Sequence, residues 1–198
     1  MRLFVALDID DTVRERIGAF AEEIRPLAPN ARWVKAESLH VTLKFIGERP
    51  NSTVQDIQDA LESIRAYALR ITFRGAGFFP NPRAARVFWI GIEGENDLQQ
   101  LAKEVDIKLS GIGIAKEHRP FSPHLTLARA TGGSGAPGWR KGDRPNRQFS
   151  HLQEFLLQRP AADFGSISAH EFFLYRSQLS SKGSQYTKIA RFALAPKT

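Results

Sequence analysis

The chain has 198 residues, 42% of them apolar, and carries 28 Lys and Arg against 21 Asp and Glu for a net charge of +7. That length accommodates one domain or two closely joined lobes with a real core, and the apolar content excludes a disordered chain. The absence of Cys excludes disulfides, thiolate metal sites and a cysteine nucleophile, while the basic excess favours polyanionic partners, nucleic acid first.

Residues 2–8 read as a buried strand, and Asp8, Asp10 and Asp11 end the apolar run too early for a signal peptide. No stretch approaches the ~20 apolar residues of a membrane span, so a cytoplasmic protein with no membrane partner is expected. Residues 10–27 form an amphipathic helix, with Val13, Ile17, Phe20, Ile24 and Leu27 on one stripe. Arg32-Trp33-Val34-Lys35 is extended, a strand covers 39–46, and Gly47 with Pro50 ends it. A second helix spans 52–67 on Val54, Ile57, Leu61 and Ile64. Residues 69–79 and 86–93 make a strand pair around Pro80-Asn81-Pro82-Arg83. A third helix covers 95–110, stopped by Gly111 and Gly113, and a strand covers 123–130. Residues 131–146 are rich in Gly, Pro and charge and read as a mobile loop. A fourth helix near 147–158 and two strands, 167–179 and 185–195, close the chain.

The tetrapeptide His40-Val41-Thr42-Leu43 returns as His124-Leu125-Thr126-Leu127, 84 positions later. On a strand, successive side chains alternate between faces. Leu39, Val41, Leu43 and Phe45 then share an apolar face, and His40, Thr42 and Lys44 share the other. In the second copy Leu125 and Leu127 face the core, while His124, Thr126 and Ala128 face away. The two halves look alike around these strands. The expected architecture is α+β: one bilobal domain over 1–198, its lobes related by a pseudo-twofold. Each lobe is an antiparallel sheet with helices packed outside, and a cleft lies between them. Two facing strands of this kind set two histidines across that cleft, one to give a proton and one to take it.

Paired His-x-Thr-x motifs at this separation resemble those of the 2H phosphoesterase family, and specifically its RNA 2′,3′-cyclic phosphodiesterase branch, also called 2′-5′ RNA ligase. The resemblance extends to Arg2-Leu3-Phe4-Val5-Ala6-Leu7, Arg32-Trp33-Val34, Lys44-Phe45-Ile46-Gly47-Glu48, Phe121-Ser122-Pro123, Ala128-Arg129, Leu174-Tyr175-Arg176-Ser177 and Tyr186. The segment 131–146 departs from it. The resemblance implies hydrolysis of a 2′,3′-cyclic phosphate at the 3′ oxygen, leaving a 2′-phosphate. It implies His40 as the acid and His124 as the base, with weak ligation as the reverse reaction. Residue order alone does not rank the two histidines. Thr42 and Thr126 are expected to hold the non-bridging phosphate oxygens.

Other expected substrate contacts are Lys44, which shares the parity of His40, and Arg119, Phe121 and Arg129. Arg129 shares the face of Leu127, which turns it from the cleft unless the strand ends at Ala128. An aromatic at Trp33 or Phe121 can stack on a base, although ordinary packing is the commoner fate. Phe45 reads as core. A two-histidine site needs neither metal nor cofactor. His118 and His124, six apart, suit no metal pair, and Gly111-Ile112-Gly113 lacks the rest of a dinucleotide fingerprint. The expected partner is RNA with a cyclic phosphate end, or a small cyclic nucleotide, acting on a monomer. The alternatives are a 2H relative acting on a different phosphoester and a non-catalytic RNA-end-binding module.

Overall fold

The computed structural model describes residues 1–94, 96–131, 146–180 and 183–197. Strand β1 (Arg2–Leu7) is followed by helix α1 (Asp11–Ile24). The extended Asp10 caps α1 by accepting the Val13 N–H at 2.8 Å, which satisfies one of the orphan donors of the first turn. Val13, Ile17, Ala21 and Ile24 are its buried residues, and a 3₁₀ turn at Arg25–Leu27 closes it. There follow β2 (Arg32–Trp33), β3 (Val41–Glu48), α2 (Val54–Glu62), β4 (Leu69–Phe79), β5 (Val87–Gly94) and α3 (Asn96–Ser110). The chain continues through β6 (His124–Arg129), α4 (Ser150–Leu157), β7 (Asp163–Ala169), β8 (Glu171–Ser180) and β9 (Gly183–Ala193).

Two antiparallel sheets result, in the orders β3-β1-β8-β9 and β2-β6-β5-β4-β7. Each half of the sequence supplies a strand-helix-strand-helix-strand series, β1 to β4 with β2 inserted, then β5 to β8 with β7 inserted. Within a half the first two strands of the series pair, β1 with β3 and β5 with β6. The third strand leaves for the other sheet, so that β4 pairs with β5 and β8 with β1. The duplication read from the sequence is therefore present, with a strand exchanged between its halves. One continuous core joins Leu3, Val5 and Leu7 of β1, Phe88 and Ile90 of β5, and the buried stripes of α1, α2 and α3. A second, small cluster of Phe4, Ala6, Phe173 and Tyr175 lies on the opposite face of the first sheet.

Strand β3 runs through Gly47 to Glu48, and two boundaries differ most from expectation. The strand expected at 167–179 is two strands meeting at His170, β7 in one sheet and β8 in the other. Apolar alternation runs through Ile167 and Ala169, slips by one residue at His170-Glu171 and resumes at Phe172 and Leu174, so the change of sheet shows only as a phase slip, with neither Gly nor Pro to mark it. Helix α2 ends at Glu62 rather than 67, although Ile64 remains buried just beyond it. Most of the loop expected at 131–146, residues 132–145, lies outside the described residues.

Candidate active site

The two tetrapeptides share a backbone irregularity. In the β1–β3 ladder Ala6 faces Thr42 and Val5 faces Lys44, which leaves Leu43 as an extra residue. In the β5–β6 ladder Trp89 faces Thr126 and Phe88 faces Ala128, which leaves Leu127 extra. Both are β-bulges, and both fall at the fourth motif residue. Up to the bulge the period of two holds: Val41 and Leu125 are buried, while His40, Thr42, His124 and Thr126 stay partly exposed on the other face. Beyond the bulge the faces exchange.

This exchange corrects three assignments. Lys44 is not in the cleft: it is 6% exposed and donates to the Asp106 carboxylate of α3 and, at 2.9 Å, to the Ala115 carbonyl. Phe45 is not core: it is 60% exposed, its ring 6.1 Å from that of Phe4 on the non-core face. Ala128, the counterpart of Lys44, is buried, and Arg129, the counterpart of Phe45, turns to the face of Thr126. The Arg129 cation is felt by both His40 and His124, although the two histidines sit on different sheets. The sheets meet along these strands, where Cα atoms of β3 and β6 come within 8 Å.

Each imidazole is held in the same way. His40 Nδ1 lies 2.8 Å from the Ser38 carbonyl, and His124 Nδ1 lies 2.8 Å from the Ser122 carbonyl. A carbonyl only accepts, so Nδ1 carries the proton in the neutral ring and Nε2 is left for proton exchange. Aromatic rings wall both sides. His40 has Phe4 at 4.8 Å and Tyr186 edge-on at 5.1 Å. His124 has Phe79 edge-on at 4.9 Å, and beyond it Trp89 at 6.5 Å. Trp89 needs Gly77 opposite it on β4, where a Cβ would come 2.3 Å from the indole. Burial pushes the His40 imidazolium down to about 4, assisted by Arg129 and opposed by the Ser38 carbonyl. Burial likewise lowers His124, again assisted by Arg129 and opposed by the Ser122 carbonyl. Among the described residues neither threonine hydroxyl has a hydrogen-bond partner.

Beside His40 opens a pocket of about 440 Å³ whose lining includes Asp8, Arg14, Tyr175, Tyr186 and Lys188. Asp8 accepts from Arg14 at 2.7 Å and from Lys188 at 2.5 Å. Burial of Asp8 opposes its ionisation, but Lys188 and Arg14 outweigh it and hold the carboxyl below its usual range. Arg14 also donates to the carbonyls of Ala36 at 2.8 Å and Leu39 at 3.2 Å, which fastens the turn that leads into His40. Residue spacing assigned Asp8, Arg14, Tyr175 and Tyr186 no role, because they reach the site from three separate elements and the end of β1. Replacing Arg14 with Met is expected to lower kcat about tenfold with a smaller change in KM, consistent with the loss of a charged hydrogen-bonding group. Steady-state kinetics together with the His40 ring resonances check this, and unchanged resonances would remove Arg14 from the positioning of His40.

The remaining expected contacts sit elsewhere. Phe121 packs against the main core, and so does Trp33, whose indole N–H donates to the Ala28 carbonyl at 3.1 Å. Arg119 is exposed in the segment before β6, with Glu117 at 4.0 Å. His118 and His170 are exposed, and His151 lies 3.8 Å from Glu154. Among the described residues no three His, Asp or Glu side chains cluster as metal ligands, and no helix is long and apolar enough to cross a membrane.

The family model described as LigT-like phosphoesterase matches the chain twice, over residues 7–89 and 90–184. The RNA 2′,3′-cyclic phosphodiesterase of Archaeoglobus fulgidus is 31% identical over 192 residues, covering 97% of this chain and 99% of that protein. A crystal structure from Thermus thermophilus aligns over the whole of both chains with a TM-score of 0.77 and 28% identity. Escherichia coli LigT in complex with 3′-AMP aligns with a TM-score of 0.73 and 28% identity, covering 98% of this chain and 97% of that one.

Proposed function

Because the chain belongs to the LigT-like phosphoesterase family, and because its paired histidines share one geometry, we propose that it hydrolyses RNA 2′,3′-cyclic phosphate ends to 2′-phosphates without a metal. The observation that carries this reading is the twin Nδ1–carbonyl hydrogen bond, which leaves two Nε2 atoms for proton transfer beside a shared guanidinium. The curated relative from Archaeoglobus fulgidus, named for this activity, supports it.

The reaction runs in line through phosphorus. His124 Nε2 takes a proton from water as the water oxygen bonds to phosphorus. The bond from phosphorus to O3′ breaks, and His40 Nε2 gives its proton to that oxygen. The product carries a 2′-phosphate and a free 3′-hydroxyl, and proton exchange with solvent resets the pair. Thr42 and Thr126 donate to the non-bridging oxygens, and Arg129 balances the charge that grows on them. The division of labour follows the family resemblance; burial lowers both imidazoles, and the phosphate anion of a bound substrate favours the imidazolium that the acid needs. The exposed ring of Phe45 offers the adjoining base a stacking face. With a 5′-hydroxyl in place of water as the attacking group, its oxygen bonds to phosphorus as the bond to O3′ breaks, which is the weak 2′-5′ ligation.

The test is incubation with an oligoribonucleotide ending in 2′,3′-cyclic phosphate, with EDTA present, followed by mass and phosphatase analysis of the ends. Gain of one water, giving a 2′-phosphate, is the expected result. An unchanged end on bound RNA would favour a recognition module, and inhibition by EDTA would refute the metal-free mechanism.

The pH dependence follows from the same environments. Burial and the Arg129 cation both disfavour imidazolium, so both limbs of the free-enzyme profile move to lower pH. The maximum of kcat/KM is expected below the ordinary histidine value of ~6.5. A bound phosphate anion favours imidazolium, so the kcat profile should lie at higher pH. Arg129→Gln removes a cation from beside both rings and should move the kcat/KM profile upward. A shift in the acid direction would overturn this electrostatic account.

A further inference from the structure

Three arginines from three strands reach one rim of the cleft. Arg32 faces Arg129 directly in the β2–β6 ladder. Residues so opposed share a face, with Cβ atoms about 5 Å apart, and like charges there are destabilising. Trp33, the only other residue of β2, packs against Phe88 at 6.1 Å in the core, which leaves Arg32 on the face of Arg129 and Thr126. Arg2 stands on β1 two residues before Phe4 and shares its face, with Ala6, toward the site. Glu48 lies opposite Arg2 in the ladder but sits 3.6 Å from the N-terminal amine. Neither Arg2 nor Arg32 has an ion-pair partner among the described residues, and both are exposed. Arg129 feels both: burial lowers its affinity for a proton first, Tyr186 opposes, and the Arg2 and Arg32 cations add to the lowering.

Arg32 is thus held opposite another cation, beside the candidate site, with no ion-pair partner of its own among the described residues. We propose that Arg32 and Arg2 form a second phosphate subsite that takes the internucleotide phosphate on the 5′ side of the terminal nucleotide. The inference rests on the phosphodiesterase reading above and deepens it, since it names the oligonucleotide end rather than the free cyclic nucleotide as the preferred substrate. Arg129 serves the scissile phosphate. Arg32, opposite it on the neighbouring strand, is placed for the next phosphate in the chain. Arg2 flanks it from the other sheet. Guanidinium suits this task because its fork of donors matches phosphate oxygens.

The smallest substrates that differ by this one phosphate are 2′,3′-cyclic AMP and the dinucleotide ApA ending in 2′,3′-cyclic phosphate. The wild-type protein is expected to favour the dinucleotide by ~10-fold in kcat/KM, the effect of one charge-assisted contact. In Arg32→Gln that ratio should collapse toward unity through the KM for the dinucleotide. Arg2→Gln should lower it partway, and Arg32→Lys should keep part of it. The dinucleotide preference should also weaken with salt in the wild type and no longer do so in Arg32→Gln. Thermal melting confirms that each variant is folded. Equal turnover of the two substrates by the wild type, or a ratio untouched by Arg32→Gln, overturns the subsite while leaving the phosphodiesterase reading in place. No turnover of either substrate overturns that reading and the subsite with it.

Discussion

His40→Ala and His124→Ala are each expected to lower kcat/KM by ~10²–10⁴-fold while the protein stays folded. The loss is large because each imidazole moves a proton in the step that makes or breaks a bond to phosphorus. The fold survives because neither ring belongs to the main core: the rings lie on the opposite sheet faces, against Phe4 and Tyr186 in one case and Phe79 in the other. Stability against pH separates a loss of chemistry from a loss of structure. In the unfolded chain a histidine takes its proton near ~6.5, whereas folded His40 resists it down to about 4. Between those values the unfolded state binds more protons, so wild-type stability declines as pH falls from ~6.5 toward ~4. His40→Ala should show a shallower decline over that window and melt cooperatively. Retained turnover in either variant would exclude the acid–base pair.

Asp106→Ala is expected to destabilise the protein by ~3 kcal/mol, which corresponds to a fall of about 6–12 °C in Tm. Lys44 is buried behind the bulge of β3, and its ammonium has two partners, the Asp106 carboxylate and the Ala115 carbonyl. Removing Asp106 leaves a buried charge with only a carbonyl dipole, and it also takes the 3.0 Å acceptor from the Glu117 N–H. Burial opposes ionisation of Asp106, but the hydrogen bonds from Lys44 and Glu117 win and lower its carboxyl, so Asp106 is a carboxylate near neutrality. Lys44→Met should cost less, because Asp106 is 22% exposed and water can solvate the carboxylate left behind. Neither change should raise KM. A phosphate-binding Lys44 predicts the reverse, a raised KM for Lys44→Met and a stable Asp106→Ala, so denaturation and kinetics on the two variants decide the matter.

The bulges explain how far the sequence could be read. Alternation placed His40, Thr42, His124 and Thr126 on the correct face because all four precede the extra residue. It misplaced Lys44, Phe45 and Ala128, and put the face of Arg129 in doubt, because all four follow it. A bulge is a property of the pairing between strands, and Leu43 or Leu127 would look no different in a regular ladder. The helices, by contrast, carry their signal locally: Val13, Ile17 and Ile24 of α1 are buried as the periodicity placed them, with Phe20 partly buried and Leu27 in the 3₁₀ turn beyond the helix. The partners of His40 from β8 and β9 were out of reach for another reason: Tyr175 and Tyr186 lie more than a hundred residues away, and only the sheet order brings them near.

The exchanged strands have a consequence for biosynthesis. Strand β1 leaves the ribosome long before one of its flanking strands, β8, which begins at Glu171. The sheet that carries His40 is therefore incomplete until β8 has been made, and neither half can close its own sheet while it waits. Pairings of such long sequence separation are slow to form, because the loop entropy is lost before the contacts compensate it. During that interval the open edge of β1 and the apolar faces beneath it need shielding, and a nascent chain stalled before Glu171 is the species most exposed to chaperones and to aggregation.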